Sequence, residues 1–254
     1  MILSANELTL GYRGQAVVNN VSFNVAAGDV VAVVGHYGSG KSTLVKTIYG
    51  TLPLIGGELS WHGSVPSEIA FLGRQSEFDT RVPVRVRDIV EMGAWSQLGF
   101  AGRIDPAGRA AIEVAMERTG TSVVANTPLH ILSAGQLQRA LFARTIVQEA
   151  PVILLDEPFT AIDQSTEADM LALIDQWSGE GLAVIMVLHD LSAVLQHCHA
   201  ALLLGRGTAL FGPLDTTLTP ANLVDLAYLT PSQAAWQERI FSRESGSLSG
   251  GGYV

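Results

Sequence analysis

"VVAVVGHYGSGKSTLVKTIYG", residues 30–50, runs from an entirely apolar stretch through a glycine-rich turn into a helical pattern. Val30 to Val34 reads as a strand buried on both faces. Leu44, Val45 and Ile48 recur at helical spacing, and Gly50 closes that helix. Between strand and helix, "GHYGSGKST" fits G-x-x-x-x-G-K-[ST] through Gly35, Gly40, Lys41 and Ser42, with Gly38 as an additional glycine. His36, Tyr37 and Ser39 fill the variable places, and Thr43 completes the stretch. Glycines let a backbone wrap phosphate so that its N–H groups and the helix N-terminus face negative charge. Lys41 is then placed to reach the β- and γ-phosphates, and Ser42 to coordinate Mg²⁺. A simple strand-to-helix turn is the plainer alternative, and the flanking apolar strand and amphipathic helix argue against it.

Two further apolar runs resemble the first in composition. Val152 to Leu155 ends in Asp156, and Ala183 to Leu188 ends in His189. Met170, Leu173, Ile174 and Trp177 between them are spaced by three and four, so strand, helix and strand form a parallel crossover. If all three strands share a sheet, their carboxyl ends gather the Gly35 loop, Asp156 with Glu157, and His189, where ligands of open α/β sheets bind. Asp156 is then a candidate Mg²⁺ ligand and Glu157 a candidate general base, because two adjacent carboxylates beside a triphosphate need a cation between them. Taken alone, an acidic pair after a strand is a helix cap or a solvated turn. His189 alone is open to a structural reading, against contact with a γ-phosphate or ordering of Glu157 and an attacking water.

Glu7 to Tyr12 alternates, with Leu8, Leu10 and Tyr12 on one face, and "AVVNNVSFNVAAGD" continues as short strands, predicting an N-terminal antiparallel layer. From about Gln75 to Leu129 the β signal fades and helices dominate. One of them opens with Asp105 as cap and Pro106 in its first turn, and closes near Gly120. The tail "SRESGSLSGGGYV" has little to bury and is expected to be disordered.

The 254 residues carry a net charge of −9 and an acidic sequence pI near 5.0, against the basic surface that nucleic-acid binding needs. Arg81, Arg85 and Arg87 crowd together in "RVPVRVRD", as a solvated patch or a partner contact. The chain is 48% hydrophobic, yet runs such as Leu182 to Leu188 fall far short of the ~20 residues a bilayer requires. The N-terminus lacks the pattern of a signal peptide, and a single cysteine, Cys198, suits a reducing compartment, so a cytoplasmic location is expected.

With these residues in order, the sequence resembles the nucleotide-binding subunit of an ABC transporter, up to about Leu229. The resemblance rests on the loop Gly35 to Thr43, Gln75, "LSAGQ" from Leu132 to Gln136, "VILLDEP" followed by "FTAID", and His189. It implies an α/β fold: a RecA-like P-loop NTPase core, an N-terminal antiparallel β layer and an inserted α-helical subdomain. It further implies one ABC ATPase domain over residues 1–230, with the insertion at about 75–145 and an extension over 231–254.

The resemblance also implies roles. Tyr12 takes the place of the aromatic that stacks on adenine, where periodicity alone favours a core tyrosine. Gln75 is similar to the residue that touches Mg²⁺ and water and links the insertion to membrane subunits. Asp163 matches the aspartate of a loop crossing between subunits, and Ser133, Ala134, Gly135 and Gln136 match the signature element that closes over the ATP of the other subunit. ATP and Mg²⁺ are the implied cofactors. The implied partners are a second copy of the chain, integral membrane permease subunits and, indirectly, a solute-binding protein, with the chain peripheral on the cytoplasmic face of the membrane.

Some positions depart from the family pattern. Ala134 stands where glycine is commoner, and Thr160 to Asp163 reads TAID rather than SALD. Neither change removes a catalytic group. "DTRVPVRVRDIVEMGAW", Asp79 to Trp95, is similar to the same segment in importers of zinc and manganese, and more loosely of iron chelates. His197, Cys198 and His199 suggest a metal site, but neighbours on a helix point about 100° apart and no second cluster accompanies them. A soluble ABC ATPase of the cluster-assembly type and a bare interaction module are the alternatives from other classes.

Overall fold

The computed structural model describes residues 1–63, 69–75, 79–95 and 103–234. Strands β1 (Leu3–Tyr12) and β2 (Gln15–Val25) form a hairpin closed by Arg13 and Gly14, both at positive φ (51° and 79°), the backbone twist that two-residue hairpin loops prefer. Strand β3 (Val30–Gly35) leads through the glycine loop into helix α1 (Lys41–Ile48), and β4 (Gly56–Trp61) returns to pair with β1 in a three-stranded antiparallel sheet.

The second sheet contains β3, β5 (Ile69–Leu72), β6 (Val152–Asp156), β7 (Ala183–Val187), β8 (Ala200–Gly205) and β9 (Thr208–Pro213), in the order β5-β6-β7-β3-β8-β9. All its pairs are parallel except the closing β8–β9 hairpin. Both faces are covered, which is why the central strands read as unbroken apolar runs. Val31, Val33, Leu154 and Ile185 face a core shared with α1 and the antiparallel sheet, through Leu8, Leu10, Leu44 and Ile48. Val30, Ala32, Val34, Ile153 and Met186 face the opposite core, shared with the long helices.

Between the adjacent strands β5 and β6 the chain makes its helical excursion: α2 (Val86–Glu91), α3 (Pro106–Arg118) and α4 (Ala134–Val147). Asp105 caps α3 by accepting from Gly108 N at 2.7 Å, and Gly120, at φ 68°, ends it. Helix α5 (Gln164–Gly179) links β6 to β7 and buries Met170, Leu173, Ile174 and Trp177, with Trp177 stacked on Phe142 of α4 at 5.5 Å between ring centres. Each of these burials lies on the stripe that the three-and-four spacing marks out.

Two arginines of the cluster, Arg81 and Arg87, and the histidine pair are engaged within the chain. Arg81 Nε lies 2.8 Å from Asp79, and Arg87 is paired with Glu113. His197 Nδ1 meets Asp175 at 3.0 Å, whereas His199 Nδ1 accepts from Val30 N at 3.1 Å. Cys198 is buried between them. The three side chains therefore serve different neighbours, and no cluster of three metal-binding residue types occurs among the described residues. The serine- and glycine-rich tail, with all of residues 235–254, lies outside the described residues.

Candidate nucleotide site

The carboxyl ends of β6, β7 and β3 lie side by side, since β7 pairs with both of the others. Asp156 is the last residue of β6, the glycine loop follows β3, and His189 follows β7 by two residues. Gly40 adopts φ 99°, and a Cβ there would run into Val18. A Cβ on Gly35 would strike Ser39 Oγ and the Leu204 carbonyl. These glycines are therefore required by the path of the loop itself.

Lys41 is almost fully buried, and its Nζ donates to the carbonyls of Gly35 (2.6 Å) and His36 (2.9 Å). Burial pulls its pKa below the usual lysine value, while the carboxylates of Glu157 and Asp156 act in the opposite direction. Ser39 Oγ is buried with no hydrogen-bond partner among the described residues.

An open groove of about 300 Å³ is lined by Tyr12, Val17, Tyr37, Gly38, Gly40, Lys41, Ser42, Thr43, Arg74 and Glu157. Tyr12 stands at the rim, 44% exposed, rather than in the core that its alternation with Leu8 and Leu10 predicts. The reason is local: β1 carries register shifts on either side of Leu8 and again between Leu10 and Gly11, which break the alternation. Tyr37 is almost wholly exposed on the loop.

Glu157 has the left-handed backbone φ of 52°, uncommon for a residue with a side chain and characteristic of functional turns. Its Oε1 accepts from Arg74 Nη2 at 2.6 Å and lies 2.9 Å from His189 Nε2. Asp156, with 3% exposure, faces Arg74 Nε at 3.6 Å, and Arg74 Nη2 also donates to Ser42 Oγ at 3.1 Å. The guanidinium thus sits among the three oxygen-bearing side chains Ser42, Asp156 and Glu157. Those donors suit a hard divalent cation such as Mg²⁺, and the place between them already holds positive charge.

Gln75 is not brought into this group. Its Nε2 donates instead to the carbonyl of Ala134, 2.7 Å away at the first turn of α4. Arg74 occupies the space before the carboxylates, and the next side chain reaches toward the helical excursion. Sequence reasoning missed Arg74. The available signal was a cation two residues beyond β5, whose strand end lies beside that of β6.

Ser133, Ala134, Gly135 and Gln136 open α4, and none of them lines the groove. Ser133 and Gln136 satisfy one another: Gln136 N donates to Ser133 Oγ (3.2 Å) and Ser133 N to Gln136 Oε1 (3.0 Å). Gly135 nestles against Thr166 and Asp163, where a Cβ would come within 3.0 Å of Thr166 Oγ1. Asp163 caps α5, accepting from Thr166 N (2.9 Å), Thr166 Oγ1 (2.9 Å) and Ser165 Oγ (2.6 Å). These donors hold its carboxyl well below the usual carboxylate range. Beyond the sheet, the Tyr228 hydroxyl donates to the His189 carbonyl at 2.8 Å.

A phosphate loop whose lysine and serine face an acidic pair on a nearby strand end defines a P-loop ATPase, and this chain is one. Residues 18–160 match the ABC transporter family, and the chain belongs to it as an ATP-binding subunit. The chain is 34% identical over 206 residues to the zinc transport system ATP-binding protein TroB of Treponema pallidum (strain Nichols), covering 80% of this chain and 77% of the other. Identity is 30% over 222 residues to the manganese transport system ATP-binding protein MntB of Bacillus subtilis (strain 168), covering 86% and 89%. Among solved structures, one described as an inward-facing metal-chelate type ABC transporter superposes with a TM-score of 0.81 at 29% identity, over 90% of this chain and 89% of that one. The fold and family expected from the motifs are borne out. No helix among the described residues is long and apolar enough to cross a membrane.

Proposed function

We propose that this chain is the energising subunit of an importer for a metal cation, zinc or manganese, or for a metal chelate. Two copies bind two MgATP at a shared interface on the cytoplasmic face of the membrane. The observation that carries the reading is the convergence of Lys41, Ser42, Asp156, Glu157 and His189 at one sheet edge, in a chain whose relatives serve zinc and manganese transport. Residues 1–230 form one ABC ATPase domain with its insertion at about 75–145, and residues 231–254 an extension.

In this reading, Gly35 to Thr43 cradles the phosphates and Tyr12 stacks on the base at the groove rim. Ser42 and Asp156 would hold Mg²⁺, and Gln75 would join them if its amide left the Ala134 carbonyl. Bound there, the metal would supply charge screening and orientation for the terminal phosphoryl group. Glu157 takes the proton of the attacking water, and His189, 2.9 Å away, fixes the orientation of that carboxylate. Ser133 to Gln136 lies outside its own groove, and this supports service to the nucleotide of a second copy, with Asp163 beside it at the interface. Permease subunits receive the motion through the helical excursion, and a solute-binding protein delivers cargo to them.

The test is purification of the chain expressed with its neighbouring genes. Co-purification with an integral membrane subunit, and Mg²⁺-dependent ATPase activity stimulated by a metal-loaded solute-binding protein, is the expected result. A fully active ATPase that never associates with a membrane subunit would overturn it.

A further inference from the structure

We propose that Arg74 is a tethered counter-ion that occupies the Mg²⁺ position of the nucleotide-free subunit and competes with Mg²⁺ for it. Its Nη2 donates to Glu157 Oε1 (2.6 Å) and Ser42 Oγ (3.1 Å), and its Nε lies 3.6 Å from Asp156 Oδ2. One side chain therefore touches the serine of the phosphate loop and both members of the acidic pair. Asp156 is almost completely buried and Glu157 largely so, and adjacent carboxylates in such a place require a compensating cation.

Arg74 itself is 30% exposed and hangs on a long flexible stem. It is thus able to leave without unfolding its surroundings. Gln75, the next residue, is anchored on the Ala134 carbonyl and fixes the backbone from which Arg74 reaches inward. A guanidinium cannot reproduce the compact octahedral coordination of Mg²⁺, and the two cannot share the space among three oxygen donors. Arrival of Mg²⁺ with nucleotide expels Arg74 toward solvent or the triphosphate. Without metal, Arg74 remains and neutralises part of the charge of free ATP. The consequence is a blunted preference for MgATP over metal-free ATP.

This role rests on the MgATP reading of the groove, and the experiment separates the two. Binding of ATP is measured by calorimetry in EDTA and in Mg²⁺, for the wild type, Arg74→Met and Arg74→Lys. In Arg74→Met the preference for MgATP rises by about tenfold or more, because the competitor is lost and metal-free ATP meets the carboxylates without the guanidinium. Arg74→Lys keeps the charge and stays nearer the wild type. Mg²⁺ alone, at millimolar concentration and without nucleotide, raises the melting temperature of Arg74→Met but not of the wild type. An unchanged preference in Arg74→Met, or equal shifts in the Met and Lys variants, overturns the counter-ion role while leaving the nucleotide site intact. Failure of the wild type to bind ATP in either condition overturns both.

Discussion

His189 Nε2 and Glu157 Oε1 stand 2.9 Å apart, joining a residue that follows β7 to one that follows β6. The same carboxylate oxygen also accepts from Arg74, and the His189 contact is the one that remains to orient it once Arg74 has been displaced. Preorganisation of this kind places a general base without reorganisation at the moment of reaction.

Glu157→Gln keeps the shape and loses the proposed base. ATP affinity is expected to stay within a few-fold, with phosphate release slower by about 100-fold or more. The ATP-loaded variant should elute as a dimer in size-exclusion chromatography. Normal turnover would remove Glu157 from the role.

Tyr12 discriminates stacking from packing. Because it is 44% exposed, Tyr12→Ala should leave the denaturation midpoint nearly unchanged while weakening ATP about tenfold, the scale of base–aromatic stacking. Tyr12→Phe keeps the ring and should bind like the wild type. A large loss of stability in Tyr12→Ala would return the residue to a structural role.

Ser133 is both a helix cap and a proposed partner-phosphate ligand. Ser133→Ala costs about 1 kcal/mol of stability as a lost cap, read by urea titration. Hydrolysis should fall far more than the affinity of the isolated subunit for ATP. Equal losses in both would reduce Ser133 to a cap.

Gly40 tests the loop. At φ 99° an added methyl is strained, and here it also meets Val18. Gly40→Ala should destabilise the fold by about 1–3 kcal/mol and abolish detectable ATP binding. Retention of both wild-type stability and affinity would show that the loop tolerates another path.

Cys198 provides a pH probe. Burial pushes its thiol up to about 12, with Asp175 adding to the shift, so the folded state disfavours the thiolate. The associated stability is fully present below the ordinary value near 9.0 and is lost as pH rises from there toward about 12. Native protein at pH 8 should react with a disulfide reagent orders of magnitude more slowly than protein in denaturant. Equal rates would refute the burial.

The central strands were legible because a strand covered on both faces must be apolar throughout, as Val30 to Val34 and Val152 to Leu155 are. A helix with strong local signals, the Asp105-capped α3, was equally readable. Strands β4 and β5 were not: Gly56–Trp61 has a polar, half-exposed edge, and Ile69–Leu72 is four residues long. Tyr12 escaped because bulges in β1 shift the side-chain alternation, a tertiary effect that periodicity does not record. Arg74 escaped because its meaning depends on β5 lying beside β6, a relation between residues more than eighty apart along the chain.

The close seat of Gly135 against Thr166 and Asp163 has a mechanical consequence. With no side chain between them, the first turn of α4 and the capping turn of α5 form a single rigid corner. In the proposed two-copy arrangement, a load on Ser133 would therefore also reach the chain that leads back from Asp163, six residues earlier, to Glu157.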